Sequence, residues 1–172
     1  MGAVTGAFGR LDVLVNNAGL LGSGPSVPFA ETDVEEWEQV LRVNLTGPFL
    51  CSLAALPALR HTRGCVVNVS SGAAERTGFL SVAYGVSKAG LDRLTLGMAR
   101  DLREEGVAVV SVRAPFTATP GALAVYGEEG LRGAAPPEVT ARAIGLLLAH
   151  DPMRYTGRAV RVRELLEELG KG

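Results

Sequence analysis

The sequence predicts an α/β fold, in which a parallel sheet of about four strands lies between two layers of helices. Short apolar runs alternate with helical patterns along the whole chain, which is typical of strand–helix–strand units. The runs are apolar almost throughout, as in parallel strands that are buried on both faces. No repeat or long linker divides the 172 residues, so we expect one three-layer domain over residues 1–172.

The first elements are a strand, a loop and a helix. Residues 11–15 form an apolar run that leads into Asn-Asn-Ala-Gly, and the glycines and prolines of residues 20–29 predict a loop. Thr32 and Glu35 have the spacing of a capping box, so a helix should begin there. This helix should direct its apolar side chains toward a core: Val34, Trp37, Val40, Leu41 and Leu45.

The middle of the chain repeats the alternation. A second buried strand is expected at residues 65–69 and a polar loop at 70–81. A long helix over 82–105 should end at Gly106, a residue type that favours helix C-termini. A third strand, rich in β-branched residues, follows at 107–112.

The last third is predicted to finish the sheet. Residues 115–135 are expected to be irregular, and two prolines lead a helix from 138 to about 148. A fourth strand should lie within 155–162, and a short amphipathic helix should occupy 164–169.

Composition excludes several classes of partner. The net charge of −1 gives no electrostatic basis for binding nucleic acid or an acidic membrane surface. No run approaches the roughly 18–20 apolar residues of a membrane span, and residues 1–8 lack the pattern of a signal peptide, so we expect a cytoplasmic protein. Cys51 and Cys65 lack metal-ligand spacing, so no metal site is predicted; we expect buried free thiols, with a disulfide as the alternative.

Tyr84 and Lys88 are the first candidates for chemistry. They are four residues apart in the long helix and therefore lie on one face. A nearby ammonium group favours the phenolate and lowers the pKa of a tyrosine, which would make Tyr84 a general acid/base for an alcohol proton. The pattern is also compatible with an ordinary Tyr and Lys on a helix.

Ser71 strengthens that hypothesis, because it lies just beyond the second strand, at the end of a parallel sheet where ligands bind. A hydroxyl there can donate to a carbonyl oxygen of a substrate. The alternative is a turn serine or a helix cap, and Ser70 beside it can fill either role.

Asn44 is a fourth candidate, within the helix that begins near residue 32. Pro48 has no N–H to bond to the Asn44 carbonyl, so the helix should bend and leave this carbonyl free for a water or a side chain. The alternative is a simple kink between two packed segments.

The joint pattern resembles the short-chain dehydrogenase/reductase family. It comprises Asn-Asn-Ala-Gly at 16–19, Val-Asn-Leu-Thr-Gly around Asn44, Val-Asn-Val-Ser-Ser at 67–71 and Tyr-Gly-Val-Ser-Lys at 84–88. The resemblance is in register from about residue 8 to 112 and looser to 162. It implies a Rossmann-like fold and hydride transfer between NAD or NADP and a small alcohol or carbonyl substrate, in a homo-oligomer.

By this resemblance, four residues form the catalytic set. Tyr84 would be the general acid/base, and Lys88 would lower its pKa and hold the nicotinamide ribose. Ser71 would orient the substrate oxygen, and Asn44 would hold the water of a proton relay.

The resemblance also implies a cofactor-binding set, comprising Asn16, Ala18, Gly19, Tyr84, Lys88, Pro115 and Thr117. Thr119 is the alternative to Thr117 for a contact with the nicotinamide amide. Phe116 departs from the pattern, because the family usually has a glycine after the proline.

A second departure concerns the start of the family's fold, which is a strand, a glycine-rich turn and a helix that cradle the pyrophosphate. Gly19, Gly22 and Gly24 precede Pro25 without a helix directly after, and residues 1–10 resemble only the end of the helix before the 11–15 strand. We therefore expect an N-terminally truncated domain, the C-terminal catalytic half, with residues 11–15 as an edge strand and weak dinucleotide binding.

Two functions remain open on the sequence. The first is an NAD(P)-dependent oxidoreductase with Tyr84 as the proton carrier. The second is a non-catalytic fragment or pseudoenzyme that serves as an oligomerisation module, because the helices around 33–60 and 82–105 resemble those that pair subunits in the family.

Overall fold

Four parallel strands form the centre of the molecule in the computed structural model, which describes residues 2–22, 28–77 and 81–170. The strands are β1 (Val13–Asn16), β2 (Cys65–Ser71), β3 (Ala108–Ala114) and β4 (Ala159–Arg161). They lie side by side in chain order, and every neighbouring pair is parallel. The predicted parallel α/β fold is therefore confirmed, and β1 lies at an edge of the described sheet.

Helices connect the strands and cover them. The helices are α1 (Gly2–Phe8), α2 (Val34–Leu41), α3 (Gly47–Thr62), α4 (Val82–Leu102), α5 (Pro120–Gly130), α6 (Pro137–Ala149) and α7 (Val162–Leu169). Short 3₁₀ turns occupy Phe29–Glu31, Gly72–Ala74 and Pro152–Tyr155.

Two apolar layers pack on opposite faces of the sheet, because neighbouring residues of a strand point to opposite sides. Val66 and Val109 pack with Ala55 and Leu59 of α3 and with α4. Residues one position further on, such as Val67, pack on the other face against α6 and α7. The sheet is thus covered on both sides, as its almost continuous apolar strands predicted.

The start of α2 differs from the prediction. Asp33, not Thr32, is the N-cap residue: its carboxylate accepts a hydrogen bond from the Glu35 amide at 3.0 Å, while Thr32 is extended. Val34, expected in the core, is 68% exposed, whereas Val40 is buried. Six residues correspond to about 600°, or 240° around the helix, so Val34 and Val40 do not lie on one face.

A second correction concerns residues 115–135, which were expected to be irregular. They contain α5, which begins because the Thr119 hydroxyl accepts a hydrogen bond from the Ala122 amide at 3.1 Å and Pro120 stands at the first turn. The helix bends at Gly127, whose φ of +66° favours glycine. The many glycines and alanines of this segment leave no clear helical pattern of apolar residues, so the sequence did not predict α5.

The predicted interruption near Asn44 is present as a π-helical turn, Arg42–Thr46, between α2 and α3. By length and composition alone, the continuous helical run Val34–Thr62 would suffice to cross a membrane, contrary to the expectation that no segment does. This is weak evidence for a membrane span, because core helices of this kind pass the same test, and Ala55 and Leu59 lie in the core.

The two cysteines are free in the structure, as expected, but only one is buried. Cys65 begins β2 in the core, where burial raises the pKa of its thiol to about 12. Cys51 is exposed on α3, so the prediction of burial is wrong for that residue. The apolar neighbours of Cys51 in the sequence did not reveal which side of the helix it occupies.

The turn from α3 into β2 requires a glycine. Gly64 lies against Asp12, the residue just before β1. A Cβ on Gly64 would overlap the Asp12 carbonyl oxygen and lie 2.8 Å from Cδ2 of Leu59. The adjacent Cys65 amide donates to that same Asp12 carbonyl at 2.8 Å, which starts the β1–β2 pairing.

We predict that Gly64→Ala destabilises the chain by about 2 kcal/mol, because the backbone of the β1 loop must move away from the new methyl group. Urea unfolding monitored by circular dichroism measures the change. Gly145→Ala is the matched control, since a Cβ at Gly145 on α6 meets nothing within 4 Å, and it should be neutral or slightly stabilising. An unchanged unfolding midpoint for Gly64→Ala would contradict the prediction.

Candidate active site

A cavity of about 810 Å³ opens at the carboxyl ends of the strands. This is the edge of a parallel sheet where ligands bind in open α/β folds. The cavity is lined by residues from β2, α4 and the loops after β1 and β3, among them Asn17, Gly19, Ser71, Tyr84, Lys88, Pro115, Thr117 and Thr119. It therefore collects most of the residues singled out in the sequence.

Helix α4 carries Tyr84 and Lys88 into this cavity. The Ser81 hydroxyl caps the helix by accepting from the Tyr84 amide at 3.3 Å, which fixes the helix start one turn before the tyrosine. Tyr84 and Lys88 are both buried, and Nζ of Lys88 lies 5.5 Å from the centroid of the Tyr84 ring. Nζ donates a hydrogen bond to the Val69 carbonyl at 2.9 Å, so α4 is joined to the end of β2.

Ser71 is the last residue of β2, and its side chain lies close enough to Tyr84 to act on the pKa of the phenol. Its hydroxyl also accepts from the Ala73 amide at 3.2 Å, which caps the 3₁₀ turn that follows. The cap that the sequence offered as one alternative for Ser71 is therefore present. Ser70 instead donates to the Lys88 carbonyl at 3.4 Å.

The pKa of Tyr84 differs from the expectation. Burial raises the pKa of Tyr84 above its ordinary value. The interaction with Ser71 lowers this pKa, and the charge interaction with Tyr126 raises it. Lys88 does not lower it here, because its ammonium group is directed to the Val69 carbonyl. Burial also lowers the pKa of Lys88 to about 8, with Asp92 acting in the opposite direction.

Asn44 lies in the π-helical turn and is fully buried. Its Oδ1 accepts from the Leu20 amide, and its Nδ2 donates to the Leu20 carbonyl, both at 2.8 Å. Nδ2 also donates to Oγ of Ser87 at 3.0 Å. Asn44 therefore ties the loop after β1 to α4. A Cβ at Gly19 would lie 3.4 Å from its Oδ1 and 3.6 Å from Nζ of Lys88, so these three residues meet.

In the Asn-Asn-Ala-Gly segment, Asn16 makes buried structural contacts, whereas Asn17 and Gly19 line the cavity. Asn16 is buried and donates to Oδ1 of Asn68 at 2.8 Å and to Oγ of Ser52 at 3.2 Å. Asn68 donates in turn to Oγ1 of Thr95 at 2.8 Å. Asn16 thus joins the edge strand to β2, whereas Asn17 lines the cavity. Asn17 was missed in the sequence, although its position next to Asn16, on the opposite side of the strand, is a usable signal.

The remaining cofactor candidates lie on the loop after β3. Thr117 donates to the Pro115 carbonyl at 2.8 Å, and its backbone bridges to Ala135. Thr119 caps α5. Both threonines and Phe116 line the cavity, while Ala18 is exposed beside Gly19. In the part of the chain that the structure describes, no group of three or more His, Cys, Asp or Glu residues is placed to hold a metal ion.

Comparison with known proteins agrees with this arrangement. Residues 1–128 match the short chain dehydrogenase family. The chain belongs to that family. The matched segment contains Asn44, Ser71, Tyr84 and Lys88, together with the Asn-Asn-Ala-Gly loop and Pro115–Thr119 after β3.

Two similar proteins are named as dehydrogenases of hydroxylated compounds. The chain is 40% identical over 121 residues to trans-4-hydroxycyclohexanecarboxylate dehydrogenase of Sinomonas cyclohexanicum, covering 70% of this chain and 45% of that protein. It is 36% identical over 112 residues to meso-2,3-butanediol dehydrogenase of Serratia marcescens, covering 65% of this chain and 43% of that protein. The chain thus spans less than half the length of these relatives.

Solved structures of short-chain dehydrogenases share the fold. A short-chain dehydrogenase/reductase of Saccharomyces cerevisiae superposes with a TM-score of 0.83 at 26% identity, covering 98% of this chain and 73% of that one. The 3-ketoacyl-(acyl-carrier-protein) reductase of Brucella melitensis, solved with NADH, gives 0.82 at 25% identity, covering 93% and 69%. The Rossmann-like fold implied by the resemblance is therefore confirmed.

We predict that replacing Lys88 with Met raises stability most at and below neutral pH. The ammonium group has a pKa of about 8 when folded and 10.5 when unfolded, so its burial is unfavourable below pH 8. Between pH 7 and 10 Lys88 binds more protons in the unfolded chain than in the folded chain. The free energy of unfolding of the wild type therefore rises with pH, whereas K88M lacks this contribution. The advantage of K88M should therefore shrink by about 2 kcal/mol over this range.

Urea unfolding at each pH gives the free energy of unfolding of the wild type and of K88M. Tyr84 and Cys65 are present in both proteins, so their titrations cancel when the two free energies are subtracted. Arg103→Met, on the exposed end of α4, is the control and should show a difference from wild type that does not vary with pH. A constant offset for K88M would show that burial does not lower the pKa of Lys88.

Proposed function

We propose that the protein is an oxidoreductase that interconverts an alcohol and a ketone with NAD or NADP, and that Tyr84 carries the proton. The observation that carries this proposal is the meeting of Ser71, Tyr84 and Lys88 at one end of the sheet, in a cavity large enough for a nicotinamide and a small substrate. Membership in the short-chain dehydrogenases supports the reaction class.

The residues of the site have separate tasks in this proposal. The Ser71 hydroxyl holds the substrate oxygen next to the Tyr84 hydroxyl, and Tyr84 gives a proton to that oxygen in reduction or takes one in oxidation. Because the buried phenol of Tyr84 is held neutral, it is ready as the acid for reduction. Oxidation requires a cation closer to the phenol, and Lys88, with a pKa near 8, can supply one by leaving the Val69 carbonyl.

The cofactor half of the cavity fits a nicotinamide ribose. Nζ of Lys88 faces the backbone of Gly19, and Pro115 and Thr117 line the same cavity. The ammonium group and the Thr117 hydroxyl are the polar groups offered to the ribose and the amide. When bound, the dinucleotide supplies or accepts the hydride. Asn44 keeps this half rigid by holding the Leu20 backbone against α4, and a role for its carbonyl in a water relay is part of the proposal.

The substrate in this proposal is a small secondary alcohol or its ketone, as the names of the two alcohol dehydrogenases indicate for those proteins. A homo-oligomer is also proposed. Exposed apolar side chains on α3, among them Phe49, Leu50 and Leu53, support it, because such clusters mark association surfaces.

A second candidate function is a non-catalytic module that only associates with other chains. The same exposed apolar residues on α3 favour it, together with the position of β1 at the edge of the described sheet. Dinucleotide binding separates the two candidates.

Titration of NADH and NADPH into the 172-residue chain, followed by nucleotide fluorescence, is therefore the first experiment. Saturable binding of either nucleotide with a micromolar dissociation constant would support the oxidoreductase. The absence of binding at millimolar concentration would reject the oxidoreductase for this chain and leave the association module.

We predict that Tyr84→Phe lowers kcat by about 10²–10⁴-fold, because the ring remains but the proton carrier is lost. Dinucleotide affinity should change little. The assay is NAD⁺ reduction at 340 nm with meso-2,3-butanediol or trans-4-hydroxycyclohexanecarboxylate. Tyr155→Phe is the matched control, since its hydroxyl bonds to Glu168, which does not line the cavity, and it should keep wild-type kcat. Equal kcat in Tyr84→Phe and wild type would exclude the assigned role.

A further inference from the structure

A second cavity, of about 390 Å³, adjoins the first and shares Ser71, Pro115 and Phe116 with it. From Ser71 it extends past Tyr126 of α5 to Arg76, on the loop after β2. Its size is in the range of small-molecule sites, and its walls are mostly small apolar and aromatic residues. A molecule whose oxygen is held by Ser71 therefore extends into an apolar space with one cation at its rim.

Arg76 supplies that cation. The Arg76 guanidinium lies over Gly72, the residue after Ser71. A Cβ placed on Gly72 would be 2.8 Å from Nη2 of Arg76. Among residues 2–22, 28–77 and 81–170, no carboxylate lies within 4 Å of this guanidinium. The positive charge of Arg76 is thus available to a ligand in the cavity.

The acid next to Arg76 in the sequence is committed elsewhere. Glu75 accepts hydrogen bonds from Arg113 and, at 2.7 Å, from Arg161. Arg113 is only 15% exposed and is also paired with Asp92 at 2.8 Å. This network turns Glu75 toward β3 and β4, so it does not neutralise Arg76.

Tyr126 of α5 also lines this cavity. The Tyr126 hydroxyl is buried and has no hydrogen-bond partner within the part of the chain that the structure describes. Its ring packs edge-on against Phe116 with centroids 5.5 Å apart, which fixes its position. The protein itself buries this hydroxyl, so the part of Tyr126 that a ligand in the cavity would meet is the ring.

We propose that Arg76 binds a carboxylate of the substrate, so that the substrates are hydroxy or oxo carboxylic acids with a compact apolar skeleton. The proposal rests on the proposed function, because Ser71 and Tyr84 place the reacting oxygen at one end of the cavity. The skeleton packs against Phe116 and Tyr126, and the carboxylate lies at the far end. The planar guanidinium matches a carboxylate with two parallel hydrogen bonds, which a neutral group cannot form equally well.

The test compares two ligands that differ in charge and little in shape. Dissociation constants of cyclohexanecarboxylate and cyclohexanecarboxamide are measured by NMR titration of the 172-residue chain, with no dinucleotide and no turnover. We expect the carboxylate to bind about tenfold more tightly than the amide. Arg76→Gln should remove this preference, and Arg76→Lys should keep part of it.

Arg103→Gln is the matched control, because it removes the same charge from an exposed residue at the other end of α4 and should leave the preference unchanged. Equal affinities in the wild type, a preference that survives in Arg76→Gln, or no binding of either ligand at millimolar concentration would each overturn the proposal. Since the assay needs neither NAD(P)H nor catalysis, a failure here is distinct from a failure of the oxidoreductase proposal.

Discussion

The buried ammonium group of Lys88 is the constraint around which the site is arranged. A charged group removed from water needs a hydrogen-bond partner, and the Val69 carbonyl at the end of β2 provides one. This contact requires α4 to lie with one particular turn against that strand end. Tyr84, one turn earlier on the same helix face, then reaches Ser71. The contact therefore positions Tyr84 beside Ser71, while the burial of the ammonium group lowers the pKa of Lys88.

Other buried polar contacts hold α4 and the neighbouring loops in the same register. Asn68 of β2 bonds to Thr95, and Ser111 of β3 donates to Asp92 at 2.5 Å. Asn44 clasps the backbone of Leu20 from the π-helical turn. Because an unpaired buried polar group is costly, each contact penalises a shift of the helix along the sheet. Apolar packing alone would permit such shifts more readily, so the polar contacts give the site its geometry.

The loop after β3 and helix α5 shape the space beside Ser71. Phe116 occupies the position at which the family usually has a glycine, and its ring packs on Tyr126 of α5. Together with Arg76 they enclose a space beside Ser71 that is apolar along its walls and positive at its rim. In the proposed function, the proton transfer at Tyr84 is thus separate from the selection of the substrate, which depends on residues that follow β2 and β3.

The sequence by itself determined the four strands and most of the helices between them, and it singled out Ser71, Tyr84 and Lys88, because periodicity and fixed spacing are local properties of the chain. It misplaced the cap of α2, missed α5, and reversed the direction of the pKa shift of Tyr84. Only the tertiary structure decided these, since capping depends on which side chain reaches an amide and a pKa depends on burial. The free charge of Arg76 was decided in the same way, by distant residues that hold Glu75.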